Sequence, residues 1–133
     1  MDFGETDWYD RLVRNFTKLH VWQKAHALTL DIYRTTELFP REERYELTRQ
    51  IRRSASSVPT NIAEGSGRRS HVDFARFLDI ALGSTSETTY HLILARDLGI
   101  LDETDYDHLA DRARELRMML TSLARTLRSG EET

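Results

Sequence analysis

The chain has 133 residues, of which 39% are apolar and 31% are charged, and its net charge is −3. These proportions are typical of one soluble globular domain with its own core. The absence of cysteine excludes disulfides, thiolate metal sites and thiol nucleophiles. Because no apolar run is long enough to span a bilayer and no leader opens the chain, we expect a cytoplasmic protein without membrane contact.

The first 18 residues are polar with scattered aromatic side chains and show no sustained period. We predict a flexible N-terminal tail over 1–18, with a short helical turn around 8–13. A bundle domain follows over 19–128, and 129–133 form a frayed C-terminal tail. The first predicted helix covers 21–38. It ends there because a residue that precedes a proline, here Pro40, avoids helical backbone angles.

The second predicted helix, 42–64, contains Pro59 in its interior. Its apolar residues recur every three or four positions and keep their phase across the proline, whereas a turn would have reset the register. The pattern therefore predicts a helix that is bent at Pro59 rather than broken, although an uncompensated interior proline costs about 3 kcal/mol. Gly65 suits the left-handed residue that closes a helix. The stripe consists of Leu47, Ile51, Ala55, Val58 and Ile62.

The third predicted helix, 70–98, begins with Ser70 as its cap and ends before Gly99. Its apolar residues cover an arc of roughly 220° at 100° per residue. Such a helix needs burial on two sides, so we predict that part of its surface contacts another copy of the chain. Gly83 indicates a close helix crossing, because glycine in a helix costs about 1 kcal/mol relative to alanine. The candidate interface residues are Phe77, Ile80, Ile93 and Leu98.

The fourth predicted helix, 102–128, carries a narrow apolar stripe and acidic residues in its first turn, where the helix dipole favours them. Four helices joined by short connections imply antiparallel neighbours. The sequence therefore predicts an all-α, antiparallel up-down four-helix bundle.

Known catalytic and ligand-binding motifs are missing from the sequence. The glycines of AEGSGR lack the preceding strand and the GK[ST] ending of a phosphate-binding loop. The histidines form no HExxH or ExxH pair, and no nucleophile elbow occurs. We expect no catalytic residue, no cofactor and no metal. Close helix packing explains four serines better than catalysis does: Ser54, Ser56, Ser57 and Ser84.

Arginines give the one pattern that suggests binding. Residues 41–76 hold eight arginines against five acids, a net charge of +3, whereas 77–133 hold six against eleven. This distribution favours contact with nucleic acid or with a partner protein, and salt bridges within or between chains are the alternative. The candidate contact residues are Arg49, Arg52, Arg53, Arg68, Arg69 and Arg76.

Three segments carry a family resemblance: LHVWQKAHAL, FPREERYELTRQIRRSASSVPTNIAEGSGR and FARFLDIALGSTSE. In this order and spacing they resemble the four-helix-bundle proteins first noticed as open reading frames in intervening sequences of bacterial 23S ribosomal RNA genes. The resemblance covers about 19–127. The accessory variability proteins of diversity-generating retroelements look like distant members.

The resemblance implies a bundle that assembles as a ring, typically a homopentamer. It also implies that retroelement members bind nucleic acid and dock a reverse transcriptase. The polar residues that match the family form either a buried network across the bend or a shared surface. They are Gln50, Arg53, Asn61, Glu64 and Arg68.

Three functional hypotheses follow from these observations. The first is a non-enzymatic, homo-oligomeric scaffold or adaptor that binds a protein or RNA partner through the ring. The second is an RNA- or DNA-binding accessory protein that could partner a reverse transcriptase. The third, an enzyme that uses Arg53, Asn61, Glu64 and Arg68, has only the joint occurrence of these polar residues in its favour.

Overall fold

The computed structural model describes residues 15–130, apart from the side chains of 42–44. The helical turn predicted around 8–13 and most of both predicted tails lie outside these residues. A short 3-10 helix, Phe16–Lys18, precedes four α-helices. No strand occurs in 15–130, and no helix there is long and apolar enough to cross a membrane. The helices are α1 (His20–Thr36), α2 (Arg41–Ser66), α3 (His71–Asp97) and α4 (Glu103–Ser129).

The helices pack around one core in chain order. Each of α2 and α3 packs on both of its neighbours in sequence, and α4 returns to pack on α1. Since the connections are short, neighbours run antiparallel, so the predicted all-α four-helix bundle is confirmed. Every predicted boundary lies within about two residues of the observed one. The largest fully buried side chains include Ile32, Ile51, Ile62, Leu78, Leu92, Leu116 and Leu120.

Helix ends follow local chemistry in α3 and α4. The Ser70 hydroxyl accepts a hydrogen bond from the Asp73 amide at 3.0 Å, which satisfies one free donor of the first turn of α3. Gly99 has a φ of +77° and terminates α3 as predicted. The same prediction for Gly65 is wrong. The helix α2 continues to Ser66, and Gly65 is not among the glycines with positive φ in the described chain.

The interior proline of α2 is accommodated by a hydroxyl from α1. The helix runs without interruption through Pro59, as predicted. Proline has no N–H, so the carbonyl of Ala55 loses its helical donor. The Thr29 hydroxyl lies 3.1 Å from that carbonyl and 2.8 Å from the Ala25 carbonyl of its own helix, so its single proton is shared between the two acceptors. One turn on, the Asn61 side-chain amide donates to the Ser57 carbonyl at 2.9 Å. A bend at Pro59 stays a prediction.

Two helical glycines have opposite surroundings. A Cβ on Gly65 would lie 2.7 Å from the Phe77 Cβ and 2.9 Å from the Phe74 ring. Gly65 therefore permits the close approach of α2 and α3. A Cβ on Gly83 would meet nothing within 4 Å. The predicted close crossing at Gly83 is thus wrong within the protomer.

Candidate functional site

The six candidate arginines fall into two groups. Arg49, Arg52 and Arg53 lie in the middle of α2, beside the end of α1, whereas Arg68, Arg69 and Arg76 surround the α2–α3 connection. At 1.5 Å per helical residue, Arg49 and Arg68 are separated by roughly 28 Å along the axis of α2. The six arginines therefore belong to two separate surfaces.

The first group lines a cleft of about 640 Å³ between the end of α1 and the first half of α2. This volume lies within the range of about 300–1,000 Å³ that is usual for small-molecule sites. Four arginines and one glutamate are the charged residues among its lining. We call it the arginine cleft, and its principal residues are Tyr33, Arg41, Tyr45, Arg49, Arg52 and Arg53.

Arg52 is held in the cleft by the last turn of α1. Its Nε donates to the Thr36 hydroxyl at 2.8 Å, and its Nη2 donates to the Tyr33 carbonyl at 3.2 Å. Its guanidinium also lies over the Tyr33 ring, 4.6 Å from the centroid. A cation at this position satisfies free carbonyls and complements the helix dipole. Arg52 therefore has a structural role and a fixed orientation.

The other two arginines of this group differ in their partners. Arg49 pairs with Glu46 at 3.3 Å. Glu46 also accepts a hydrogen bond from Gln50 at 3.0 Å, and this bond, followed by those from Arg49, lowers the pKa of Glu46. Arg53 is exposed and makes no hydrogen bond or ion pair through its side chain with any described residue. Of the three, Arg53 is thus the one whose guanidinium is available to a ligand.

The second group packs around an aromatic ring. The guanidinium groups of Arg68 and Arg76 lie 4.6 and 4.8 Å from the Phe77 ring centroid. Asp73 pairs with Arg76 at 3.0 Å and with Arg68 at 3.9 Å. Arg69 is exposed beside them. These contacts favour the interpretation of Arg68 and Arg76 as salt-bridging residues of the protomer.

The five polar residues that match the family follow one another along α2 and its C-terminal end. Gln50 bonds Glu46, Asn61 bonds Ser57, and Arg68 pairs with Asp73. Within residues 15–130, no hydrogen bond or ion pair joins two of the five. Arg53, Glu64 and Arg68 are exposed, and Gln50 and Asn61 are half-buried. Their interpretation as a shared surface stays a prediction.

Small hydroxyl side chains form a polar contact between α2 and α3, which we call the seam. The Ser57 and Ser84 hydroxyls lie 2.8 Å apart. The Thr88 hydroxyl donates to the Ser54 hydroxyl at 2.8 Å, and Ser54 lies 3.4 Å from Nδ1 of His91. The expectation of close packing is confirmed for Ser54, Ser57 and Ser84. Ser54 is buried between the helices, so its position does not suit a nucleophile.

The seam contains a buried histidine that the sequence analysis did not single out. Burial lowers the pKa of His91 below its ordinary value, and the positive charge of Arg53 lowers it further. The carboxylate of Glu87, 3.9 Å from Nε2 of His91, acts in the opposite direction. The net effect is an imidazole that is neutral at neutral pH and whose Nδ1 lies within hydrogen-bond distance of the Ser54 hydroxyl.

This depressed pKa predicts a loss of stability in acid. The unfolded histidine titrates near pH 6.5 and binds its proton more readily than the folded one, so stability falls as pH drops below about 6.5. It levels off below the folded pKa. We expect the urea midpoint to fall between pH 7.5 and pH 5, and to fall less in His91→Asn, whose side-chain amide can still bond the Ser54 hydroxyl but does not titrate. Equal pH dependence in both proteins would contradict this account.

The exposed side of α3 carries apolar residues around a glycine. Ile80 and Leu98 are 43% and 54% exposed, and Val72 and Tyr90 are exposed as well. We call these four residues and Gly83 the outer face of α3. Of the other predicted interface residues, Ile93 is half-buried and Phe77 is buried within the protomer.

Comparison with known proteins gives the family. The profile of the 23S rRNA-intervening sequence proteins matches residues 17–122. The chain belongs to the 23S rRNA-intervening sequence protein family. A crystal structure from Bacteroides thetaiotaomicron, described as a protein with unknown function from the S23 ribosomal protein family, is similar at 27% identity and a TM-score of 0.72. The similarity covers 78% of this chain and 97% of that one. No curated protein matches.

In this 23S rRNA-intervening sequence protein, sequence reasoning missed several residues of the arginine cleft. Tyr33 on α1 is exposed at this cleft. Tyr45 and Arg41 border the same cleft. The only sequence signal for the cleft was the arginine density of 41–76, because the position of α1 beside α2 depends on tertiary packing.

Proposed function

We propose that the protein is a non-enzymatic, homo-oligomeric scaffold or adaptor that assembles through the outer face of α3. The observation that carries the proposal is Gly83, a glycine in the middle of a 27-residue helix with open space around it. Glycine there weakens the helix by about 1 kcal/mol relative to alanine. Nothing in residues 15–130 requires it, so a neighbouring protomer that approaches closely is its best explanation.

The side chains around Gly83 support the same surface. Ile80 precedes it by one turn, and Tyr90 follows two turns later on the same side. The exposed charges of Arg76 and Glu87 lie on the same side of the helix, one turn before Ile80 and one turn after Gly83, so apolar and charged residues alternate along this face. A ring requires that this face contact a different surface of the next copy, and such a head-to-tail contact closes when the rotation between copies allows it; the pentamer is the ring implied by the family.

Light scattering after size-exclusion chromatography tests the proposal. At micromolar concentration we expect a mass several times that of the protomer. Ile80→Asp and Gly83→Gln should both reduce it to the protomer mass while circular dichroism stays helical. Met118→Asp is the matched control, because Met118 is an exposed apolar residue on α4. A monomeric wild type, or an oligomer that neither variant dissociates, would refute assembly through this face.

A second proposed function is that of an RNA- or DNA-binding accessory protein that could partner a reverse transcriptase. The grouping of Arg49, Arg52 and Arg53 in one cleft supports it. The net charge of −3 indicates that any such binding is local rather than spread over the surface. Binding of single-stranded RNA should weaken steeply with salt, because counterions are released from the phosphates. Absence of binding at low salt would refute this function.

A further inference from the structure

We infer that the arginine cleft binds a nucleotide unit, either as a free nucleotide or as part of a single strand. The inference deepens the second proposed function and does not depend on assembly through α3. Its basis is the combination of a cleft of about 640 Å³, an excess of arginine and an exposed tyrosine at the border.

The charges of the cleft suit phosphate. Its lining includes four arginines and one glutamate, which leaves a net charge of +3 among those residues. Guanidinium groups bind phosphate through two parallel hydrogen bonds. Arg53 has no side-chain partner among the described residues, and Arg52 already has a fixed orientation because α1 holds it. Arg53 is therefore the direct phosphate ligand, and Arg52, whose charge is partly offset by the Glu37 carboxylate at 3.8 Å, is a positioning residue.

The aromatic residues of the cleft distinguish a nucleotide from a simple anion. Tyr45 is 66% exposed and lies on the border of the cleft, whereas one face of the Tyr33 ring is covered by Arg52. A base can stack on an exposed tyrosine whatever its sequence identity, because every base has a π-face. Phosphate on Arg53 with the base on Tyr45 uses both features of the cleft.

Glu46 lies outside the cleft lining and competes with the ligand. It holds Arg49 at 3.3 Å and is itself kept ionised by Gln50 and Arg49. When phosphate enters, Arg49 must leave this carboxylate or be shared with it. Neutralising Glu46 frees Arg49 and should therefore increase the affinity for the ligand.

Titration of the full chain at low salt with three probes tests the inference. The probes are a labelled eight-nucleotide single-stranded RNA, a free nucleoside triphosphate and inorganic phosphate. We expect Arg53→Glu to weaken the binding of the RNA and of the nucleoside triphosphate by at least about tenfold. Tyr45→Leu should lower the affinity for both ligands by about fivefold, whereas Tyr45→Phe should leave it unchanged. Glu46→Gln should raise the affinity for both ligands by about twofold.

The matched control is Arg117→Glu, which makes the same charge change at an exposed arginine of α4 without side-chain partners among the described residues. Binding of the nucleoside triphosphate without RNA supports the cleft site and refutes the second proposed function. Binding of RNA without the free nucleotide supports both. The inference is overturned if nothing binds, if Arg117→Glu weakens binding as much as Arg53→Glu, or if inorganic phosphate binds as tightly and Tyr45→Leu has no effect.

Discussion

Replacing Thr29 with valine should destabilise the protein by about 1–3 kcal/mol, although the two side chains have nearly the same shape. Thr29 is buried, and its hydroxyl lies 3.1 Å from the Ala55 carbonyl, whose helical donor is missing because residue 59 is proline. The hydroxyl also lies 2.8 Å from the Ala25 carbonyl, which has its own helical donor, so valine would leave only the Ala55 carbonyl buried without a partner. A buried unsatisfied acceptor costs about that amount. Urea unfolding at neutral pH measures the change.

Two comparisons isolate the reason for this loss. In a Pro59→Ala background the amide of residue 59 can bond the Ala55 carbonyl, so Thr29→Val should then cost less than about 1 kcal/mol. Thr85→Val is the matched control, because the buried Thr85 hydroxyl bonds the Ala81 carbonyl, which keeps its own helical donor. The explanation is wrong if the cost is the same in both backgrounds, or if Thr85→Val costs as much.

The same substitution at two glycines should have opposite effects. Gly65→Ala should destabilise the protein by about 2 kcal/mol, because its Cβ would lie 2.7 Å from the Phe77 Cβ and would force α2 and α3 apart. Gly83→Ala should stabilise the dissociated protomer by about 0.5–1 kcal/mol, because alanine favours the helix and its Cβ meets nothing within 4 Å.

Urea unfolding at a protein concentration low enough to prevent association compares the two glycine variants. The denaturant slope should be unchanged in both, since neither alters the surface exposed on unfolding. A stabilised Gly65→Ala would mean that α3 moves aside without loss. A destabilised Gly83→Ala under these conditions would mean that Gly83 has a role within the protomer.

Most of the fold could be predicted from the sequence because its signals are periodic and local. The stripe through Ile51 and Ile62 kept its phase across Pro59, which correctly indicated a continuous helix. Ser70 and Gly99 marked helix ends through their own backbone chemistry. Such signals depend on neighbours within a few residues, so a single sequence contains them.

The features that sequence reasoning missed depend on which helices touch. Gly65 reads as a helix terminator in isolation, and only the position of Phe77 on α3 shows that it is a contact residue. Thr29 has no local pattern that pairs it with Ala55 in another helix. The arginines show the same limit of local patterns. Their density in 41–76 is visible in the sequence, whereas their division into two surfaces depends on how the helices pack.

Directional bonds between helices also favour one handedness of the bundle. Four amphipathic helices can connect in a left-turning or a right-turning order, and apolar stripes alone distinguish these mirror topologies poorly. Thr29 ties one flank of α2 to α1, and Ser57 ties the other flank to Ser84 of α3. In the mirror topology α1 and α3 would exchange flanks, and the Ala55 carbonyl opposite Pro59 would lose the Thr29 hydroxyl. A directional bond of this kind favours one topology over its mirror image, which apolar contacts distinguish poorly.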